Sequence, residues 1–275
     1  MNDKVVKKVW IFFLICLIAF FAIFFNDSKP YLERYNKEIT AAKSLLTDDY
    51  SKEVFDELTA FNASRTPMKQ ENMDKFPENY CPNVPMKNGD VMINGGISSD
   101  LSLTFKMAES VGENGLVIGF DPNVRILANI NKEIEKSGFK NIKTYSYGLW
   151  NKNCHKDLFF QGDTDASLVF RKNEGLYLPA TLVKLDDFVV KEGVKKVDFI
   201  TLDVEGAEME ALKGAETILV SQKPNLAISI HHKPTDMFQI INYLNSLNCG
   251  YKFWLGYHCP YSVNSVNVIL YATVK

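Results

Sequence analysis

Four acids, Asp203, Glu205, Glu208 and Glu210, crowd around a Gly206-Ala207 pair directly after the β-type apolar positions Val197, Phe199, Ile200 and Leu202. A buried strand that ends in carboxylates places acids at the edge where open parallel sheets bind their ligands. Carboxylates there can take a proton from a reacting group. The competing reading is that they solvate a loop and sit at a helix N-terminus, where negative charge is favourable by roughly 0.3–1 kcal/mol. A second titratable pair, His231-His232, closes the apolar run that begins at Leu226. Imidazole has the ordinary pKa best suited to moving protons near neutrality; the alternative is one ring packed on the sheet and the other capping a loop. Upstream, Val91-Met92-Ile93 runs into Asn94-Gly95-Gly96-Ile97-Ser98-Ser99-Asp100. Adjacent glycines let the backbone turn sharply and let a ligand approach it, and Ser99 or Asp100 can cap the helix that follows. Asp121 closes the next apolar run, Leu116 to Phe120. About 26 residues beyond the glycine turn, it is placed to accept both hydroxyls of a ribose.

These residues need strands that stop together and helices that pack back on the sheet. Leu101, Phe105 and Ala108 predict a first helix, and Leu127, Ile130 and Ile134 a second, stopped by Gly138. A third strand is expected around Ile142 to Tyr147. From Cys154 to Leu185 helical period is missing. Leu158-Phe159-Phe160 and the run Ser167 to Phe170 predict hairpin strands, followed by a strand from Thr181 to Leu185, together a β-rich insertion. Ala207, Ala211, Ala215 and Ile218 recur at the spacing of one continuous helix after the acidic turn. Asp186-Asp187 reads as structural or as a helix start. A helix from Thr235 to about Leu247 and a terminal hairpin from the runs at Tyr251 and Val266 complete the order. Trp254, Tyr257 and His258 either line an acceptor cleft or belong to the core.

A chain of 275 residues, 46% hydrophobic and 23% charged, holds one sizeable globular domain plus an appendage. Its formal charge of -2 argues against nucleic acid as a partner. Five cysteines without a CxxC pair indicate neither a zinc site nor a dense disulfide framework, so no metal site is expected. After a basic tail at 1–8, residues 9–25 (VWIFFLICLIAFFAIFF) have the length and composition of a short bilayer span. No small-residue cleavage site follows, which favours a retained single-pass membrane anchor. Lysines and arginines flank it on both sides, so the positive-inside rule leaves the side of the following domain open. Residues 26–87 are helix-favouring and then proline-broken, a helical and loop stalk or lid, and the domain is expected to span 88–275.

Several of these stretches, in this order, resemble the FkbM family of S-adenosylmethionine-dependent methyltransferases. They are INGGISSDLS, GENGLVIGFDP, KLDDF, VDFITLDVEGAEMEALKGAE and LAISIHHKPTDMFQI, spanning roughly Asp90 to Ala272. The resemblance implies a class I methyltransferase (Rossmann-like) α/β fold. Its sheet has seven mostly parallel strands with the last reversed, and helices on both faces. It implies S-adenosyl-L-methionine as cofactor, over the carboxyl ends of the first two strands. Gly95 and Gly96 would face its methionine part, Asn94 and Ser98 lie in the same turn, and Asp121 would hold the ribose. Asp203 and Glu205 would border the sulfonium and the acceptor, with Asp203, Glu205 and His232 the candidate catalytic residues. The acceptor implied is a hydroxyl of a sugar or of a lipid-linked molecule. Where such families usually place an acid at the end of the first strand, this chain has Asn94, a neutral partner for the cofactor's amino group. Two other classes compete: a nicotinamide-dependent oxidoreductase, which lacks its G-x-G-x-x-G turn, and a non-catalytic module of the same fold that binds a partner.

Overall fold

The computed structural model describes residues 30–75, 83–160, 166–170, 175–258 and 266–274. The expected membrane span at 9–25 lies outside them, and no helix among the described residues is long and apolar enough to cross a membrane. Among the described residues two helices come first, α1 (30–44) and α2 (Asp49–Ser64). Strand and helix then alternate as β1 (Val91–Gly95), α3 (Ser102–Val111), β2 (Leu116–Phe120), α4 (Val124–Ser137) and β3 (Ile142–Tyr145). Next come β4 (Gly148–Leu149), β5 (Cys154–Phe160), β6 (Ala166–Ser167) and β7 (Leu176–Val183). The chain continues with α5 (Leu185–Lys191), β8 (Phe199–Leu202), α6 (Glu208–Lys213), α7 (Glu216–Ser221) and β9 (Asn225–Ser229). It closes with α8 (Asp236–Ser246), β10 (Lys252–His258) and β11 (Asn267–Thr273).

The main sheet has seven strands in the order β10-β11-β9-β8-β1-β2-β3. β9, β8, β1, β2 and β3 are parallel, whereas β11 runs antiparallel to both neighbours. Strands covered on both faces read as near-continuous apolar runs, and β8 and β9 are buried at every position. Alternation divides their side chains. Ile93, Ile200, Ile228 and Leu270 enter one core with α2, α5 and α8, while Met92, Phe199, Ala227 and Ile269 enter the other with α3 and α4. The register sets Gly95 opposite both Phe120 and Leu202, so β1, β2 and β8 end level with one another. Their turns are stitched together: Gly96 N and Ile97 N donate to Phe120 O, and Asp203 N donates to Gly95 O. Sequence-distant polar residues therefore emerge at one edge.

The four-stranded second sheet has the order β4-β7-β5-β6. β5 pairs along its whole length with β7, while its hairpin partner β6 is only two residues long. The strand expected through Phe170 ends at Ser167, because Ser167 Oγ accepts from Val169 N and Phe170 N and bends the chain. The single helix expected from Ala207 to Ile218 is also two helices, α6 and α7, although all four small and apolar positions are buried. At the break, a Cβ on Gly214 would collide with the Trp150 carbonyl, so the backbone ahead of β5 packs directly into the gap. The Asp186 carboxylate accepts from Thr217 N and Ile218 N, starting α7 afresh.

Within the segment 26–87, α2 lies along β10 and buries Val54, Phe55 and Leu58 in the main core. Asp48 caps it by accepting from Ser51 N at 2.6 Å. Ser51, itself fully buried, accepts from Leu255 N of the edge strand at 2.8 Å. A polar group on the outer side of an edge strand is satisfied this way instead of being left to pair with another chain. Ser51→Ala strands the Leu255 N–H in an apolar setting, and chemical denaturation is expected to show a loss of about 1–3 kcal/mol.

Candidate active site

A cavity of about 510 Å³ opens on the carboxyl edge, between the main sheet and the second sheet. Asn94, Gly96, Ser98, Asp121, Asp203 and Glu205 all line it, and Leu149, Leu158 and Leu168 supply an apolar wall. Gly96 adopts φ +88, and a Cβ there would collide with the carbonyl oxygen of Asp203, so only glycine lets the two turns close on each other. Gly95 is confined less severely, by side chains, with Leu202 Cδ2 2.7 Å from where its Cβ would be. Asn94 is buried, and its Nδ2 donates to Thr104 Oγ1 of α3 at 3.2 Å. Ser98 Oγ accepts from Asp100 N at 3.0 Å, and Asp100 in turn accepts from Ser102 N, which holds its carboxyl below the usual range. Asp121 sits at the mouth of β2, where burial lifts its carboxyl to about 7 against a single opposing hydrogen bond from Asn123 N.

The acidic turn is more tightly built than its sequence implies. Glu205 has φ 51 and Gly206 φ 91, so two successive residues are left-handed. A non-glycine residue in that region is worth explaining, and here the surroundings hold it. Ser167 Oγ donates to Glu205 O at 2.8 Å, and Lys233 Nζ donates to Gly206 O at 2.6 Å. Glu208 folds back beneath the turn, fully buried, accepting from Val204 N at 2.9 Å and Gly206 N at 3.4 Å.

The same Glu208 oxygen lies 2.9 Å from His232 Nδ1. On the other side of that ring, Nε2 is 3.3 Å from Asp203 Oδ1 and 3.8 Å from Glu205 Oε2. Burial pulls the His232 imidazolium down, but Glu208, Asp203 and Glu205 outweigh it and hold its pKa at about 9. Burial acts oppositely on Glu208, and His232 together with the turn's N–H groups brings its carboxyl below the usual range. His231, with its ring centre 4.4 Å from that of His232, is pulled down to about 4 by burial and then by its charged neighbour. Its Nδ1 lies 3.3 Å from both Val268 O and Val268 N.

The structure thus gathers Asp203, Glu205 and His232, but unequally. The two carboxylates face the cavity, while the His232 side chain is only 9% exposed and is not among the residues lining it. Trp254, Tyr257 and His258 are buried in β10, with His258 Nε2 2.9 Å from Tyr271 Oη, and do not line the cavity. Nothing in the sequence singles out two supporting residues, Glu208 and Lys233. Glu208 was one of four acids with nothing to single it out. Lys233, which clamps Gly206 O and pairs with the buried Asp236 at 3.3 Å, carried no signal beyond following the histidines.

A family model for the methyltransferase FkbM domain matches residues 88–253, more than half of the chain. Among solved structures, the methyltransferase FkbM of Methylobacillus flagellatus superposes with a TM-score of 0.68 at 21% identity, over 89% of this chain and 60% of that one. The likeness shows a class I methyltransferase-like α/β fold, and this chain spans under two thirds of that relative's length. A putative rRNA methylase of Clostridium thermocellum matches with TM-score 0.45 and 12% identity, over 68% of this chain and 88% of that one. Fibrillarin of Aeropyrum pernix, solved with S-adenosyl-L-methionine, matches with TM-score 0.42 and 13% identity, over 69% and 68%. No curated protein matches the sequence.

Proposed function

The chain belongs to the methyltransferase FkbM domain family, and from that premise we propose that it transfers a methyl group from S-adenosyl-L-methionine to a hydroxyl of a sugar or lipid-linked acceptor. One observation carries the reading. The glycine turn of β1, the half-buried Asp121 and the carboxylates of Asp203 and Glu205 border a single cavity with an apolar wall. The residues fit the cofactor. Gly96 lets the β1 turn close on Asp203 at the cavity's edge, and Asp121 is a desolvated carboxyl with the acceptor capacity for two ribose hydroxyls. When bound, the cofactor supplies a methyl group already activated on a sulfonium.

The chain's own residues then have to position, desolvate and deprotonate. Asn94 and Gly96 would hold the amino-acid end, with Ser98 beside them, and Leu149, Leu158 and Leu168 would keep water from the reacting pair. Positioning of that kind accounts for much of the rate in a displacement reaction. A neutral hydroxyl must also give up its proton as its oxygen bonds to the methyl carbon, and the carboxylate of Asp203 or Glu205 is the acceptor at the cavity surface. His232 stands behind Asp203, so its part is to orient and balance that carboxylate. An anchor at 9–25 would keep the site near membrane-borne acceptors, which supports the lipid-linked alternative.

Two measurements test this. Radiolabelled methyl groups transferred by the full chain to a membrane extract are expected in alkali-stable ether linkage. Label in alkali-labile ester would contradict a hydroxyl acceptor. Cofactor affinity is also expected to rise as pH increases through about 7 and then level off, because ribose hydroxyls bind the ionised Asp121 and burial opposes that form. Calorimetry should find that component of the pH dependence absent in Asp121→Asn.

A further inference from the structure

We propose that Asp203, His231 and His232 form a binding site for a divalent transition-metal cation of the zinc type. A ligating atom from each of the three lies within 4.8 Å of the other two. The cysteine pattern gave no hint of it, because these ligands are imidazole and carboxylate, a set suited to zinc, cobalt or nickel.

One separation, between His232 and Asp203, suits a shared cation better than a direct hydrogen bond. His232 Nε2 and Asp203 Oδ1 are 3.3 Å apart, long for a charge-assisted hydrogen bond, which runs at about 2.7–2.9 Å. Two ligands at about 2.0–2.1 Å from a tetrahedral zinc are separated by about 3.3–3.4 Å. The rings are also oriented from behind. Glu208, fully buried, holds His232 Nδ1 at 2.9 Å, the carboxylate–histidine arrangement that fixes Nε2 as the metal-facing nitrogen. His231 is fixed by its Nδ1 contact with the main chain of Val268. Nδ1 is 3.3 Å from both the N–H and the carbonyl of Val268, so the ring can switch partners; a cation at Nε2 selects the tautomer in which Nδ1 donates to the carbonyl. Charge points the same way, since Asp203, Glu205 and Glu208 surround a histidine pair with more negative than positive charge.

Three protein ligands leave a coordination position open. Glu205 Oε2, 3.8 Å from His232 Nε2, is close enough to fill it or to flank it. Because Asp203 lines the cavity, an acceptor hydroxyl could occupy that position, where a cation would make its proton easier to remove. That last role rests on the methyl-transfer reading; the binding of the cation does not.

The test is a titration of the full chain, purified in detergent and stripped with a chelator, with Co²⁺ as a spectroscopic stand-in and Zn²⁺ as competitor. One Co²⁺ per chain is expected, with a visible spectrum of nitrogen and oxygen ligation and no thiolate charge-transfer band. Zn²⁺ should displace it. Uptake should be lost in His231→Ala and in Asp203→Asn, each shown to be folded by circular dichroism, and weakened about 10–100-fold in Glu208→Gln. No uptake by the parent, a thiolate band, or uptake unchanged in the folded Asp203→Asn protein would overturn the site. Adenosylmethionine binding, measured without metal, separates the two readings. Cofactor binding without cobalt uptake overturns the metal site alone, and cobalt uptake without cofactor binding overturns the methyl-transfer reading alone.

Discussion

Asp203→Ala is expected to lower methyl transfer by about 10²–10⁴-fold, the range for losing a positioned proton acceptor, with the chain still folded. Asp203 sits at the junction of β8 and the cavity. Its main-chain N–H holds Gly95 O, and its carbonyl lies against Gly96, and neither contact involves the side chain. The carboxylate itself is 41% exposed and touches His232 from outside the core. Truncation therefore removes chemistry and little packing. Steady-state kinetics should show the loss in kcat, while urea unfolding of the variant should stay close to the parent. If Asp203 also ligates a cation, the same substitution removes that ligand, and the effect on rate has the same sign.

Glu208→Ala is expected to act in the reverse manner, through stability first. The carboxylate is fully buried and carries Val204 N, Gly206 N and His232 Nδ1 on one oxygen. Removing it leaves two main-chain N–H groups and an imidazole without their acceptor beneath a turn that holds Glu205 at φ 51. Breaking a buried charged pair by deleting one partner costs about 3–5 kcal/mol. Glu208→Gln keeps an acceptor for the turn but not the charge facing His232. Its loss is expected to be smaller, about 1–3 kcal/mol. Denaturant midpoints at unchanged m-value would report both; the loss in Glu208→Gln isolates the charge, and the further loss in Glu208→Ala isolates the acceptor beneath the turn. Equal stability of Glu208→Ala and the parent would show that the buried glutamate does not organise the turn.

The three strand ends that frame the cavity were legible in the sequence because physics writes them plainly. Val91–Gly95, Leu116–Phe120 and Phe199–Leu202 are mostly apolar runs that turn abruptly polar or glycine-rich at or just past their ends. Helices α3 and α4 were legible from their period, and the end of α4 from Gly138, which adopts φ 82. What could not be read came from long-range contacts. The break between α6 and α7 depends on the Trp150 carbonyl, and the edge of β10 depends on Ser51, some two hundred residues away along the chain. Glu208 was hidden for a related reason. An acid in sequence reads as solvent-facing, and its burial is tolerable only because the turn's N–H groups and His232 meet it. His231-His232 gave proton chemistry as the obvious suggestion, but position within the fold set His232 behind the carboxylates.

Binding of S-adenosyl-L-methionine and of NAD to the full chain, compared by titration calorimetry, bears most directly on the proposed function. One adenosylmethionine per chain, weakened by Asp121→Asn, with no heat from NAD, is the result predicted from the glycine turn and the half-buried carboxylate at the end of β2. Binding of NAD in its place, or of neither ligand, would contradict it.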